Sequence, residues 1–491
     1  MATLVLSAGQ TCSYALRRWS VRHNAGGWGV RQQSKGCQTQ PDQAAPASGY
    51  SKPVNDRSSV ADPDELPAAS SSDRSTGGLT TQQRKLLAAA VGLFVVSAAF
   101  SLVIHIWHGY IDLQVYRNGA RAWLDGRDLY GPMPQVMGIG LPFTYPPLAA
   151  LFFAPLALMP LGGAQWLVLL TSIASLAVTL WLVLIRIRPT MDRITRLILV
   201  IGAVAILGLS EPIRQTYNFG QINLVLMVAV ALDVLVRKPR WPRGMLIGIT
   251  VSIKLIPAGY LLYFLIRRDW RACLTMIASA IGAVAVGFAL FPHDSIDYWF
   301  HTLFDTGRIG PPQYAGNQSL KGFAFRLGVS DATATTIWIV LSLIAIGLAA
   351  VWMKRLIDQG HRVSALLVNT AAVLLVSPVS WSHHWVWIAP ALLVAGDAIA
   401  RIPKAGEPGA DDRSTARRRW WIAATTAITV MFMVGPQWVL PHNADRELDW
   451  AWWEQIIGSG YVIVAFAALV VAVIAYRPAA AGMRKAASAA A

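Results

Sequence analysis

The chain has 491 residues, of which 55% are hydrophobic and only 14% charged, and its mean hydropathy is positive. An ordinary soluble domain carries roughly a quarter charged residues, so the composition excludes a soluble globular protein and predicts an all-α, polytopic membrane protein whose helices need not be amphipathic. The formal charge of +16 does not point to a nucleic-acid partner, because arginine and lysine fall in short clusters between apolar runs, where they set orientation in a bilayer.

Residues 1–82 are rich in Ser, Gln, Ala, Pro and Asp and hold no apolar run long enough for a core, so they are read as a disordered basic and polar tail. Arg17, Arg18, Arg22, Arg31 and Lys35 precede the first acidic residue, Asp42, as in an organelle transit peptide. A basic cytoplasmic tail, or an over-long start, is the preferred reading. No secretory signal is evident, since the opening apolar stretch is short and lacks leading charges. Cys12, Cys37 and Cys273 are far apart and have neither metal-ligand nor disulfide spacing.

The transmembrane domain is placed at 83–478, followed by a cytoplasmic tail, 479–491. A bilayer core takes roughly 20 apolar residues per helix. Segments meeting or approaching that length run near 86–108, 165–187, 197–209, 222–236, 272–292, 334–353, 363–378, 384–400, 420–440 and 456–475. The stretch 148–160 is shorter and interrupted by Pro155, and is read as half-inserted. In 244–266, Lys254 and Pro257 stand mid-segment with basic clusters on both sides. If both clusters stay in the cytoplasm, the segment enters and returns as two short helices meeting at Lys254-Leu255-Ile256-Pro257. This gives about twelve crossings, with both termini cytoplasmic. The loops 109–147, 211–221, 293–333, 379–383 and 441–455 then share the extracytoplasmic face and hold nearly all the unusual polar residues.

Asp112 directly follows the first long apolar segment. A carboxylate at the water boundary can act on a lipid-anchored group; alternatively it caps a helix. Glu211, Arg214, Gln221 and Asn223 adjoin apolar helices, where unsatisfied polar groups are costly, so they bind each other or a ligand. Lys254 needs an anionic partner amid apolar residues, and either a phosphate or Glu211 would serve. Arg308, Asn317, Gln318 and Lys321 lie in a long polar loop of the kind that closes over or binds ligands, with amides and cations suited to sugar hydroxyls and phosphate. In Ser377-Pro378-Val379-Ser380-Trp381-Ser382-His383-His384-Trp385-Val386-Trp387, neighbouring histidines would point about 100° apart on a helix, so at most one faces a cavity squarely and joint metal chelation is poor. There is no His-Glu-x-x-His pattern, Gly-rich phosphate loop, Walker lysine or Rossmann fingerprint. No nucleotide sugar or other cofactor is therefore expected, and a role for a divalent ion is left open.

Asp112-Leu113-Gln114-Val115-Tyr116, Leu141-Pro142-Phe143-Thr144-Tyr145-Pro146-Pro147, Phe219-Gly220-Gln221-Ile222-Asn223, Ile253-Lys254-Leu255-Ile256-Pro257 and the Ser377 to Trp387 motif occur in this order. Together they resemble the actinobacterial polyprenyl-phosphate-mannose-dependent α-(1→2)-mannosyltransferases, polytopic glycosyltransferases of the C-type superfamily, over roughly residues 85–475. The resemblance implies a polyprenyl-phosphate-mannose donor and a mannosylated lipid acceptor, such as a phosphatidylinositol mannoside, lipomannan or lipoarabinomannan. It also implies chemistry on the outer face of the plasma membrane with Asp112 as catalytic base, and a functional histidine at His383 or His384. Converting a β-linked mannosyl phosphate to an α-linkage inverts the anomeric carbon, for which one carboxylate suffices. The leaving phosphate is already anionic, so cations rather than a protonating acid should assist it; Lys254, Arg308, Lys321 and a histidine are candidates. Tyr145, Trp381 and Trp385 could lay ring faces against pyranose rings or anchor in lipid. Two other functions fit less well: transfer of arabinofuranose from its polyprenyl phosphate, and transport of a lipid or sugar, against which stands the lack of paired repeats.

Overall fold

The structure, a computed structural model, describes residues 79–475 apart from His105 and His108. Most of the N-terminal tail and all of the 479–491 tail lie outside the described residues. Among the described residues the chain is built from helices, without a strand; only isolated bridges pair Val136 with Ile139 and Asn317 with Trp381.

The helices run in the order α1 (Thr81–Val103), α2 (Ile111–Leu124), α3 (Leu148–Leu158), α4 (Leu161–Ile187), α5 (Arg193–Leu207) and α6 (Glu211–Phe219). Next come α7 (Asn223–Leu235), α8 (Met245–Val251), α9 (Leu261–Arg267), α10 (Trp270–Leu290), α11 (Pro292–Phe300) and α12 (Leu320–Phe325). The last are α13 (Asp331–Asp358), α14 (Arg362–Val376), α15 (Ile388–Ala400), α16 (Asp412–Val434), α17 (Trp452–Gly458) and α18 (Gly460–Ala475). Four of them, α1, α4, α10 and α13, are long and apolar enough to cross a membrane, or six spans exist if the bent pairs α5–α6 and α17–α18 each count once. In α1 only Ala90 and Ser101 are buried; its leucine and valine side chains face outward, as expected where the solvent is lipid.

Local chemistry sets the breaks. The pair α5–α6 bends by 79°, with Ser210 before α6 and Pro212 in its first turn, the position where a missing N–H costs nothing. In 244–266 helix α8 stops at Val251, the chain runs through Ser252 to Leu255, and a 3₁₀ turn from Ile256 to Tyr260 leads into α9. The break falls at Lys254 and Pro257, as the sequence predicts. Helix α16 begins eight residues before the expected 420 and stops at Val434, where Gly435 turns left-handed (φ 70°) ahead of Pro436. The apolar run 384–400 opens as a 3₁₀ turn, Ser382–Trp387, before α15.

The loops expected to be irregular are partly helical. Residues 109–147 contain α2, which buries Leu113, Tyr116 and Ala120 on one face, and 293–333 contain α11 and α12. Cα-to-core spacing at i, i+3 and i+7 is enough to dock such a helix against α3. Phe143 packs on it at Gly119, where a Cβ would fall 2.2 Å from the ring.

A large apolar core joins α4, α5, α7, α9, α13 and α14 around Leu176, Leu224, Met227, Phe264 and Leu375. A second lies beneath α2 and α3 around Leu113, Tyr116, Phe143 and Phe153. Trp107 and Leu255 pack against both, so the break at Lys254 sits where the two cores meet. The interhelical loops are also tied together: Leu129 N donates to Asp294 Oδ1 (3.0 Å), Arg308 Nη2 to Tyr130 O (2.9 Å) and Ala315 N to Glu447 Oε1 (3.1 Å). Gln318 N donates to Ser380 O (2.7 Å) and Ser382 N to Gly316 O (2.8 Å).

Candidate active site

Asp112 occupies the first turn of α2, but it does not cap that helix: the N-cap is Tyr110, in a left-handed conformation (φ 45°), and no side chain caps the α2 N-terminus. The carboxylate is thus left for other work. It is partly accessible, and the side chain of Gln221 hydrogen-bonds to it. Burial pushes its pKa up to about 6, against the opposing effects of the Gln221 hydrogen bond and the Lys254 charge.

Two backbone approaches place that carboxylate. Tyr110 N donates to Asn218 O (2.5 Å) and Gly109 N to Asn218 Oδ1 (3.0 Å), which ties the start of α2 to the end of α6. Gly220 closes α6 with φ 66°, and a Cβ there would lie 2.8 Å from Leu113 Cβ. Only glycine allows that approach without strain.

Gln221 is the hub. Its Oε1 accepts from Tyr116 OH (2.7 Å) and Lys254 Nζ (3.5 Å), and its Nε2 donates to Tyr145 OH (3.4 Å). Lys254 Nζ lies 3.0 Å from Asn223 Oδ1 and 3.1 Å from His384 Nε2, and 5.9 Å from the centre of the Tyr145 ring. Because an ammonium can only donate, the contact requires His384 Nε2 to be the unprotonated, accepting nitrogen. Asn223 Nδ2 donates to His383 O (2.8 Å), as does Thr216 Oγ1 (3.1 Å). The two imidazoles stand perpendicular, 4.9 Å apart. His384 meets Lys254, whereas His383 sets its ring edge-on to Phe219 at 5.1 Å. Beside Asn223, Lys254 and His384 lies a small cavity of about 40 Å³ with otherwise mainly apolar walls, including Leu226, Pro257 and Trp387.

Asp112, Tyr145, Gln221, Asn223, Lys254 and His384 therefore form one constellation, with His383 behind it. Other expected site residues are placed elsewhere. Glu211 is buried and does not reach Lys254: its oxygens accept from Ser382 Oγ (2.6 Å), Trp438 Nε1 (2.6 Å) and Tyr461 OH (2.9 Å). Of the two anionic partners weighed for Lys254, Glu211 is thus not the one it meets; the lysine's hydrogen bonds go to Gln221, Asn223 and His384. Arg214 donates to Met433 O (2.8 Å) and Val434 O (3.3 Å), satisfying the carbonyls that end α16.

Asn317 and Gln318 are fully buried and pin their loop. Asn317 Oδ1 accepts from Ser380 N (3.0 Å), and Gln318 Nε2 donates to Gly458 O (2.7 Å) and Ala315 O (2.9 Å). Trp385 donates to Gln318 O (3.1 Å) and packs against Phe432 and Tyr461, so its ring belongs to the core. Trp381 is half-buried, edge-on to Tyr314 at 5.8 Å. Arg308 holds Tyr130, whose hydroxyl donates to Tyr145 O (2.8 Å). Lys321 lies over the rings of Phe325 (5.5 Å) and Trp338 (5.3 Å). Among the described residues no group of three His, Cys, Asp or Glu side chains is arranged to hold a metal ion.

Tyr116 and Thr216 were not anticipated from the sequence. Tyr116 stands four residues after Asp112, hence on the same helix face, a signal present in the motif itself. Arg326 was also missed: wholly buried, it donates to Asn317 O (3.0 Å) and Ser459 Oγ (3.0 Å).

The model of glycosyltransferase family 87 matches residues 143–378. The chain is 40% identical over 380 residues to a polyprenol-phosphate-mannose-dependent α-(1-2)-phosphatidylinositol mannoside mannosyltransferase of Mycobacterium tuberculosis, covering 74% of this chain and 84% of that protein. A pentamannoside mannosyltransferase of the same species is 30% identical over 84% of the chain and 93% of its own length. An α-(1->3)-arabinofuranosyltransferase of Corynebacterium glutamicum is 29% identical over only 31% of the chain and 36% of that protein. No solved structure matches. With the family match spanning Tyr145, Gln221, Asn223 and Lys254 of the constellation just described, and two mannosyltransferase relatives matched along most of their length, the chain is a membrane glycosyltransferase belonging to family 87.

Proposed function

We propose that the protein transfers mannose from polyprenol-phosphate mannose, in α-(1→2) linkage, to a phosphatidylinositol mannoside. The carrying observation is the junction at Gln221: its amide accepts from Lys254 and acts on Asp112, which also feels the Lys254 charge, so a base and a cation share one neighbourhood. The relatives' names supply donor and acceptor, and the short match to an arabinofuranosyltransferase leaves arabinose a weaker reading.

In the reaction, the acceptor hydroxyl oxygen attacks the anomeric carbon and the bond from that carbon to the phosphate oxygen breaks. The hydroxyl proton passes to Asp112, and the electron pair leaves with the polyprenol phosphate. Positioned general bases contribute about 10²–10⁴-fold. Charge grows on the departing phosphate oxygen, where Lys254 Nζ can donate as its hydrogen bonds to neutral acceptors exchange for a charge-assisted one. A donor β-linked to phosphate is thereby inverted to the α-product, without a nucleotide sugar.

The bilayer reading is part of the proposal. It takes about twelve crossings, counts the shorter apolar helices as packed spans and α3 as half-inserted, and places the constellation on the extracytoplasmic face of the plasma membrane with both termini cytoplasmic. The distribution of basic clusters supports it.

The test incubates purified protein in lipid nanodiscs with radiolabelled polyprenol-phosphate mannose and a phosphatidylinositol mannoside, with GDP-mannose and polyprenol-phosphate arabinose as separate donors. Mannose in a new α-(1→2) bond only from the lipid donor is expected. Arabinose transfer without mannose transfer overturns the reading, and so does donor movement across the bilayer with no glycosidic product.

A further inference from the structure

Glu211 has no accessible surface, although it opens α6 only a few residues from the constellation. Its carboxylate is spent on donors from separate parts of the chain: Ser382 Oγ (2.6 Å), Trp438 Nε1 (2.6 Å) and Tyr461 OH (2.9 Å). Arg214 on the same helix gives its guanidinium to the α16 carbonyls instead. A carboxylate buried with no direct ion pair, aided only by the Arg214 charge acting through space, is costly, and apolar side chains of similar volume would pack a core at least as well. What it supplies in exchange is orientation, because each hydrogen bond fixes a direction as well as a distance.

The chain also makes room for it. Gly435 adopts φ 70°, and a Cβ there would lie 2.7 Å from Glu211 Cγ. Any side chain at 435 would push the carboxylate from its place.

The nearest element it orients is the histidine turn. Ser382 opens the 3₁₀ turn that carries His383 and His384. Helix α6 grips that turn again through Thr216 Oγ1 on His383 O (3.1 Å) and through Phe219 against the His383 ring (5.1 Å). With its α6 side held in this way, the turn presents His384 Nε2 to Lys254 Nζ at 3.1 Å.

We propose that Glu211 is a positioning residue for the transfer: through Ser382 it fixes the 382–384 turn so that His384 meets Lys254, and it never touches substrate. The inference rests on the reading that the Lys254–His384 contact serves catalysis.

Three variants in nanodiscs, with rates normalised to folded protein, test it. Ser382→Ala removes only the donor on the turn, and is expected to lower kcat roughly tenfold with donor KM nearly unchanged, while Tm falls because a buried carboxylate loses a donor. Trp438→Phe removes a donor of the same carboxylate away from the turn, and is expected to lower Tm while leaving kcat intact. In a double-mutant cycle, Glu211→Gln should lower kcat in the wild-type background and add nothing to His384→Ala, because residues acting through one another are not additive. Multiplying effects in that cycle overturn the inference alone, as do equal kcat losses in Ser382→Ala and Trp438→Phe. If His384→Ala turns over normally, the reading of the site falls and the inference falls with it.

Discussion

Lys254 Nζ stands 3.1 Å from His384 Nε2, joining the break between α8 and α9 to a turn 130 residues later. The remaining partners of the ammonium, Asn223 and Gln221, are neutral. With the Asp112 carboxylate acting on it only through its charge, an ammonium hydrogen-bonded to neutral acceptors has room to gain from an arriving anion. In a glycosyltransferase whose relatives use a lipid phosphate donor, this makes the Lys254 neighbourhood the natural seat of the leaving group.

Replacing the carboxylate should abolish chemistry and spare the fold. Asp112→Asn keeps the side-chain volume, and the α2 N-terminus does not depend on this side chain for capping. Turnover of the labelled donor is expected to fall by about 10²–10⁴-fold, with Tm in nanodiscs within a few degrees of wild type. Undiminished turnover would remove Asp112 from the role of base.

The pH profile should report the same group. Burial raises the Asp112 pKa to about 6, and a general base works only when ionised. The value kcat/KM should therefore rise with pH through about 6 and level off above it. The Gln221 hydrogen bond opposes the rise, so Gln221→Leu is expected to shift this acid limb to higher pH. A flat profile between pH 5 and 8 would be incompatible with Asp112 acting as base.

Lys254→Met separates phosphate binding from architecture. Lys254 is not paired with Glu211, but its charge favours the Asp112 carboxylate, so Tm is expected to fall only modestly at neutral pH. Losing a charge-assisted hydrogen bond worth about 1.5–3 kcal/mol should raise the donor KM roughly 10–100-fold. The Coulombic effect that lowers the Asp112 pKa disappears as well, so the acid limb should move upward. A collapse in Tm with unchanged donor KM would assign Lys254 to structure.

Much of this was legible in the sequence, for identifiable reasons. A lysine and a proline inside an apolar stretch announce a break, and α8 does end at Val251, just before them. The separated polar motifs suggest a shared site, and Gln221, Asn223, Lys254 and His384 do meet. Helix α2 was harder to see, because its apolar stripe is interrupted by Arg117, Asn118 and Arg121; Arg117 is buried with its head on Met159 O, while the exposed Arg121 reaches Ala157 O in α3. The partners of Glu211 were not legible at all. Trp438 and Tyr461 follow it by 227 and 250 residues, and no local pattern reports a contact of that range. Charge alone suggested Lys254 as its partner, but the geometry gives Glu211 neutral donors.

A test of the scaffold rather than the chemistry lies at Gly220. Its φ of 66° is strained for any residue with a Cβ, and that Cβ would approach Leu113 Cβ to 2.8 Å. In Gly220→Ala both penalties fall on the contact between the end of α6 and the first turn of α2. The left-handed conformation alone costs a non-glycine residue on the order of 1–3 kcal/mol, and the side-chain clash forces α2 outward. Leu113 directly follows Asp112, so the carboxylate moves with it, away from Gln221 in the segment after Gly220. Lower Tm and a reduced kcat are therefore expected together, with the donor KM little changed because Lys254, Asn223 and His384 are held by other elements. Gly202→Ala is the control: it lies within α5, where a Cβ meets nothing within 4 Å, and should leave both quantities as they are. If Gly220→Ala lowered Tm but left kcat at the wild-type value, the α2–α6 contact would be a matter of stability alone, and the placement of Asp112 would have to depend on α3 and the second core.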